Sequence, residues 1–219
     1  MASLKCLFVS PASAAYGSER SMLALLRARE FDAEVVCPGG GALGAELERL
    51  GVPVHPLEFG KYSLRQNPLW HFDFYRRFHN ILKSVRPDVL VINLDGNTPW
   101  VTLAAALAKV PVVRFCRFEF KPPTRWLDRW CWVQAQAIIC PSEWVAQQVR
   151  EWLPPEFRQR VHCFHDAFAG HLAAPEDVAD FRQELGLGNS RLVGCVGRMH
   201  RGKRIEVAIE AFALLRKAM

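Results

Sequence analysis

Short, continuously apolar runs alternate with amphipathic ones along most of this chain, and nothing else in the sequence constrains the fold as much. The apolar runs fall at residues 5–10, 33–37, 52–56, 89–94, 110–115, 137–140 and 160–164. Consecutive rather than alternate apolar positions mark strands covered on both faces. Between them, helical spacing recurs at 18–29, 42–50, 68–85, 99–108, 124–134 and 143–153. Strand and helix in strict succession is the sequence form of a parallel sheet wrapped by helices. The expected class is therefore α/β, a Rossmann-like parallel sheet with helices on both faces.

Several boundaries have a local cause. Ser18 with Glu19 suits a helix start, the acidic side chain sitting on the positive end of the dipole. Gly39-Gly40-Gly41 reads as a strand-to-helix turn, preferred over a phosphate loop, and Gly51 ends the helix that follows. Pro87 stops the long third helix, and Ser142 with Glu143 begins the sixth. After Phe168 the alternation breaks. Residues 1–168 then form one Rossmann-like domain, and 169–188 are a linker with a short helix near 175–185 and a turn at Gly186-Leu187-Gly188. Residues 189–219 begin a second domain, with a strand through Leu192, Val193 and Val196 and a helix whose apolar stripe is Ile205, Ile209, Phe212 and Leu215. A lone strand and helix cannot bury their apolar faces. This second Rossmann-like domain is thus expected to be incomplete, its helix mobile, packed in a makeshift way or swapped into another copy in a homo-oligomer.

A net charge of +6 suits anionic ligands, and the absence of dense Lys/Arg runs argues against nucleic acid. The seven cysteines contain no C-x-x-C pair, and most sit in apolar runs where a thiol behaves as a small hydrophobe. That pattern fits a reducing cytoplasm. His162, His165 and Asp166 are spaced poorly for a metal site, so no metal and no cofactor is expected. The opening resembles a secretory signal, but its apolar stretch is short and broken by Pro11, which favours a first strand.

Candidate site residues gather where strands end, since ligands of open parallel sheets bind beyond the carboxyl ends of the strands. Tyr16, Gly17, Ser18, Glu19 and Arg20 follow the first strand, where Gly17 would let a phosphate or sugar approach the backbone; an ordinary turn reads equally well. Asp95, Asn97 and Thr98 follow the fourth. Asp95 could accept from a sugar hydroxyl, while capping accounts for the other two. Arg114 and Arg117 close the fifth strand, available to an anionic acceptor, to a donor phosphate or to Glu119. Arg125 with Arg129 and Trp126 with Trp130 form adjacent stripes that suit a membrane interface or a lipid-linked acceptor, although a core-packed helix is the simpler reading. Arg198 and Lys203 bracket a strand–helix turn and suit an anion at a helix start.

Taken in order, these segments resemble the retaining glycosyltransferases of family 4, which carry two Rossmann-like domains in the GT-B arrangement. Gly17-Ser18-Glu19-Arg20 resembles the family's glycine-glycine-x-glutamate turn, with Tyr16 in place of the first glycine. Residues 111–117 resemble the strand before the family's cleft histidine, whose place Arg117 takes. Residues 138–145 resemble the valine-serine segment before a helix, and His165-Asp166-Ala167-Phe168 replaces the ending of the first domain. Val196-Gly197-Arg198 through Lys203, with Ile209 to Phe212, is similar to the opening of the donor domain. The resemblance implies a sugar transferred from a nucleotide-sugar donor with retention and without metal. It implies donor-diphosphate binding by Arg198 and Lys203, with Gly17 and Ser18 on the donor side. Arg117, Arg198 and Lys203 would be the catalytic cations. Tyr16, Glu19, Asp95, Asn97, Arg114 and Arg117 would meet a carbohydrate or lipid-linked acceptor. The family's later paired glutamates have no counterpart, so the isolated chain is expected to be inactive. It would lie in the cytoplasm, with peripheral contact at the inner membrane face. The alternative is a non-catalytic module binding a glycan, a lipid phosphate or a partner protein.

Overall fold

The computed structural model describes residues 3–60, 68–95, 98–166, 181–188, 191–197, 199 and 201–218, in two compact units, Met1–Ala169 and Gly170–Met219. The first unit is a seven-stranded sheet of β1 (Lys5–Val9), β2 (Asp32–Cys37), β3 (Val54–Pro56), β4 (Val89–Ile92), β5 (Val112–Phe115), β6 (Ala137–Cys140) and β7 (Val161–Cys163). Their order is β3-β2-β1-β4-β5-β6-β7, and every pairing is parallel. The connecting helices are α1 (Gly17–Arg27), α2 (Gly41–Arg49), α3 (Pro68–Val85), α4 (Thr98–Ala108), α5 (Trp126–Gln134) and α6 (Glu143–Trp152). All stand where the alternation of the sequence puts them, within a residue or two at the ends.

The shortened strand starts have a cause. Val52 and Val110, apolar enough to read as strand, instead turn their N–H groups back to Leu47 O at 3.0 Å and Ala105 O at 2.9 Å. Each closes the preceding helix beyond a residue in the left-handed region, Gly51 (φ 61°) and Lys109 (φ 57°). Burial on both faces explains the continuous apolar strands. Leu7 and Val9 of β1 pack with Phe78, Leu82 and Ala104 of α3 and α4. Cys6 and Phe8 pack on the opposite side with Met22, Leu26 and Leu43 of α1 and α2. A third cluster joins Ile138, Val161, Val149 and Trp132 at the far edge. Each such fully buried large side chain contributes about 1.5–3 kcal/mol.

The chain lays β2 and β3 on one side of β1, then crosses to place β4 on the other. That reversal opens a crevice beyond the carboxyl ends of β1 and β4, where ligands of such sheets bind.

The second unit, by itself, holds helical residues at 181–184, a tight turn at Arg201–Lys203 and the helix α7 (Ile205–Ala218). The strand expected through residues 192–196 is absent: residues 191–196 carry no regular structure, and Leu192, Val193 and Val196 are 51%, 71% and 102% exposed. Cys195, expected to be a buried hydrophobe, is exposed for the same reason. A strand needs a neighbour to take its backbone groups, and no ladder reaches this segment among the described residues. On α7, Ile209, Phe212 and Leu215 are likewise exposed.

Candidate functional site

The site begins with the turn from β1 into α1. Gly41 anchors that turn from behind: its φ is 61°, and a Cβ there would stand 2.4 Å from the Ser13 carbonyl oxygen. The same carbonyl accepts from Leu43 N at 3.0 Å, so the glycine run serves to seat the first loop against α2. At the head of α1, Glu19 is 1% exposed. Ser18 Oγ reaches its two carboxylate oxygens at 3.0 and 2.9 Å, and Ser10 Oγ donates to it at 3.4 Å. Expected at the acceptor face, Glu19 is turned inward, where the helix dipole and two hydroxyls stabilise its charge. Helix α1 starts one residue earlier than Ser18 suggests, at Gly17, and the Ser18 hydroxyl serves Glu19. Tyr16 is half exposed at the rim of the turn, at 52%.

Arg117 binds this turn to the end of the sheet. Its Nε and Nη2 donate to Asn93 Oδ1 at 3.2 and 2.8 Å, and its Nη1 donates to Ser21 Oγ at 2.8 Å and Asp166 Oδ1 at 2.7 Å. Ser21 Oγ also donates to Asp166, and the Arg117 guanidinium lies 4.0 Å from the centre of the Phe115 ring. Asn93 in turn donates to Ser18 O at 3.4 Å. Burial lowers the Arg117 pKa from its ordinary value, opposed by the charge and hydrogen bond of Asp166 and then by Glu19; the guanidinium stays cationic. Arg117 was expected to be open to a ligand or paired with Glu119. Its partner is Asp166, because β7 ends beside β6 and delivers that carboxylate to the crevice floor.

Arg114 points to the other side of β5, where its Nη2 donates to Asp95 Oδ1 and its plane stacks 4.0 Å over Trp132 of α5. The residue is 3% exposed, yet Nε and Nη1 have no hydrogen-bond partner among the described residues. Asp95 also accepts from Thr98 Oγ1 at 3.3 Å, while its side chain stays 66% exposed. Above them opens a cavity of about 680 Å³ bounded by the ends of β4 and β5, the first turn of α4, the loop after β5, and α5. Asp95, Arg114 and Arg117 all line it; Tyr16, Gly17, Ser18 and Glu19 do not. Cys131 lies in the same wall, its thiol pushed up to about 11 by burial, so it offers no nucleophile near neutral pH. Among the described residues no group of three or more His, Cys, Asp or Glu is placed to hold a metal ion.

Sequence reasoning missed Asn93, Ser10, Ser21, Asp128 and Trp132. Asn93 and Ser10 do carry a signal, since each is a polar residue directly following an apolar strand. Of the terminal candidates, Asn97 and Arg198 lie outside the described residues. Lys203 closes the tight turn of the second unit, exposed, its stem within 3.8–3.9 Å of the place a Cβ on Gly197 would occupy. On α5, Trp126 is 76% exposed, and the Arg129 guanidinium lies 5.4 Å from the Trp152 ring centre. Arg125 precedes the helix, so the basic stripe is shorter than the spacing suggests. No helix among the described residues is long and apolar enough to cross a membrane.

The family model of the glycosyl transferase 4-like domain matches residues 19–165, from the buried glutamate of α1 to the end of the sheet. The chain belongs to that family. Its glycosyltransferase domain has the fold of solved GT-B structures. One is Anabaena Alr3699/HepE in complex with UDP, 19% identical with a TM-score of 0.77, covering 96% of this chain and 58% of that one. A glycosyltransferase from Rickettsia africae is 15% identical with a TM-score of 0.65, covering 88% and 54%. The UDP-GlcNAc 2-epimerase of Neisseria meningitidis bound to UDP-GlcNAc is 15% identical with a TM-score of 0.51, covering 74% and 47%. No curated protein matches the chain. The chain thus spans less than two thirds of the length of these structures.

Proposed function

We propose that this chain is the acceptor-binding part of an enzyme that transfers a sugar, with retention, from a nucleotide-sugar donor to a carbohydrate or lipid-linked acceptor. The observation that carries the reading is the cavity beyond β4 and β5, one strand along from the strand reversal of a glycosyl transferase 4-like domain, lined by Asp95, Arg114 and Arg117. Solved neighbours of the same fold hold UDP, UDP with glucose, or UDP-glucose, which supports a nucleotide-sugar donor here. In retaining transfer without metal, charge develops on the leaving diphosphate, and fixed cations stabilise it. Arg198 and Lys203 take that role in this reading, with Gly17 and Ser18 offering a close backbone approach on the donor side. Arg117 is held in place beside the cavity by three side-chain partners, one of them the carboxylate of Asp166.

The exposed Trp126, beside Arg125, Arg129 and the half-buried Trp130, supports peripheral contact with the cytoplasmic membrane face. The 219 residues alone are inactive in this reading, because the exposed apolar face of α7 leaves the donor side unbuilt. The test is a glycan array of neutral, acidic and lipid-linked sugars, run beside an assay for nucleoside diphosphate release from a nucleotide-sugar panel. Binding of at least one glycan without turnover is expected. Binding of no glycan of any kind would overturn the acceptor reading, and turnover would overturn the claim of inactivity.

A further inference from the structure

The walls of the cavity beyond β4 and β5 carry more chemical information than its position does. Resting on the acceptor reading, we infer that this cavity receives a neutral pyranose of the acceptor rather than a phosphate or carboxylate, with Arg114 as the residue that determines specificity. Three observations converge on this. The first is that Arg114 is buried with Nε and Nη1 both unanswered, in the wall of the cavity. Buried donors of a charged group are expensive to leave unpaired, and Arg114 is already held in place by Asp95 and by stacking on Trp132. The guanidinium of this wall residue is thus fixed, with two donors that no oxygen among the described residues answers.

The second observation is charge. Two arginines in the wall would ordinarily argue for an anion, and the sequence alone invites that reading. Here each is already neutralised, Arg114 by Asp95 and Arg117 by Asp166. Among the described residues of the wall, the remaining ionised groups are Lys121 against Glu119 and Asp128, a surplus of one negative charge. A phosphate would meet repulsion there. A sugar hydroxyl both donates and accepts, so it answers the Arg114 N–H groups and the carboxylates of Glu119 and Asp128 together.

The third is shape. A cavity of about 680 Å³ lies within the usual range for small-ligand sites. Phe118, 67% exposed, and the buried Phe120 and Trp132 supply flat apolar surfaces beside the polar groups. A pyranose, with apolar C–H faces and a polar hydroxyl rim, presents the same two kinds of surface.

Trp132 makes the cavity its own reporter. Tryptophan emission of the 219-residue chain is to be titrated with a panel of neutral methyl pyranosides, with glucose 6-phosphate and with inorganic phosphate. At least one neutral pyranoside should give a saturable change. Its affinity should fall about ten-fold or more in Arg114→Met, which keeps an unbranched stem over Trp132 but removes the donors. It should fall several-fold in Glu119→Gln, and inorganic phosphate should neither bind nor compete. Glu119 is exposed, so that variant decides the matter if Arg114→Met does not fold. Saturable phosphate binding that Arg114→Met abolishes would overturn the inference. So would pyranoside binding indifferent to both substitutions, or a panel in which no pyranoside binds. A glycan captured on the array but insensitive to Arg114 would sink this inference alone and leave the transferase reading standing.

Discussion

Helices α6 and α7 are both amphipathic and of similar chemistry, yet one is part of a core and the other is not. Val145, Ala146 and Val149 of α6 are almost wholly buried against β6 and β7. Ile209, Phe212 and Leu215 of α7 are 65%, 42% and 51% exposed. The difference lies in what each has beside it. Strand β6 has a parallel neighbour on either side, whereas residues 191–196 pair with nothing described. A helical pattern specifies a helix, but only a sheet built from distant segments turns its stripe into stability.

The comparison is broken most directly by removing one phenylalanine from each unit. Phe78 is fully buried and stacks on Phe74. Phe78→Ala should cost about 3–5 kcal/mol. Phe212→Ala, on an already exposed stripe, should cost less than about 0.5 kcal/mol. All seven tryptophans, Trp70, Trp100, Trp126, Trp130, Trp132, Trp144 and Trp152, lie in the first unit, so urea unfolding followed by tryptophan emission isolates that unit. A large loss on changing Phe212, seen in that signal, would mean that α7 is covered in solution by a first unit, as by that of a second copy.

A smaller effect sharpens the same contrast between cations. Arg117, just after β5, ties that strand's end to α1 and to the segments following β4 and β7 through Ser21, Asn93 and Asp166, and only 5% of its side chain is exposed. Arg117→Met should destabilise the first unit by about 1–3 kcal/mol, since it strands the buried amide oxygen of Asn93. Lys203→Met should leave the urea midpoint unchanged, because Lys203 is exposed in a tight turn of the other unit. Equal midpoints for Arg117→Met and the parent chain would show that the network is a binding device with no structural share.

How far the sequence carries depends on the same difference. The seven strands and six helices of the first unit are legible because each leaves a periodic trace of its own burial. The residues that close helices, such as Val52 and Val110, mislead by a position or two because they are apolar for a different reason. The arginines are legible as unusual. Which carboxylate answers each is not, since Asp166 and Arg117 are brought together only by the register of β5, β6 and β7. The free donors of Arg114 are hidden more deeply still: they depend on Trp132, a residue of a separate helix, stacking on the guanidinium where a second acceptor could have stood. The strand expected at 192–196 has the right residues and lacks a neighbour.

The finest test concerns the opposite end of the sheet from the site. Glu34 of β2 receives Lys5 Nζ at 2.7 Å and the ring of His55. Burial pushes the Glu34 carboxyl up, but the hydrogen bonds and charges of Lys5 and His55 outweigh it and hold the carboxyl below its usual range. A depressed folded pKa contributes stability that is fully present above the unfolded value, about 4.3, and is lost as pH falls through the folded one. The urea midpoint read by tryptophan emission should therefore decline below about pH 4.3, and Glu34→Gln should flatten that part of the decline. The matching change on the exposed face of α7, Glu206→Gln, should leave the slope as it was, because Glu206 is exposed and the reporter sees only the first unit. A slope that Glu34→Gln does not alter would mean that the cluster joining β1, β2 and β3 is loose in solution, and that the first unit owes its acid sensitivity to carboxylates elsewhere.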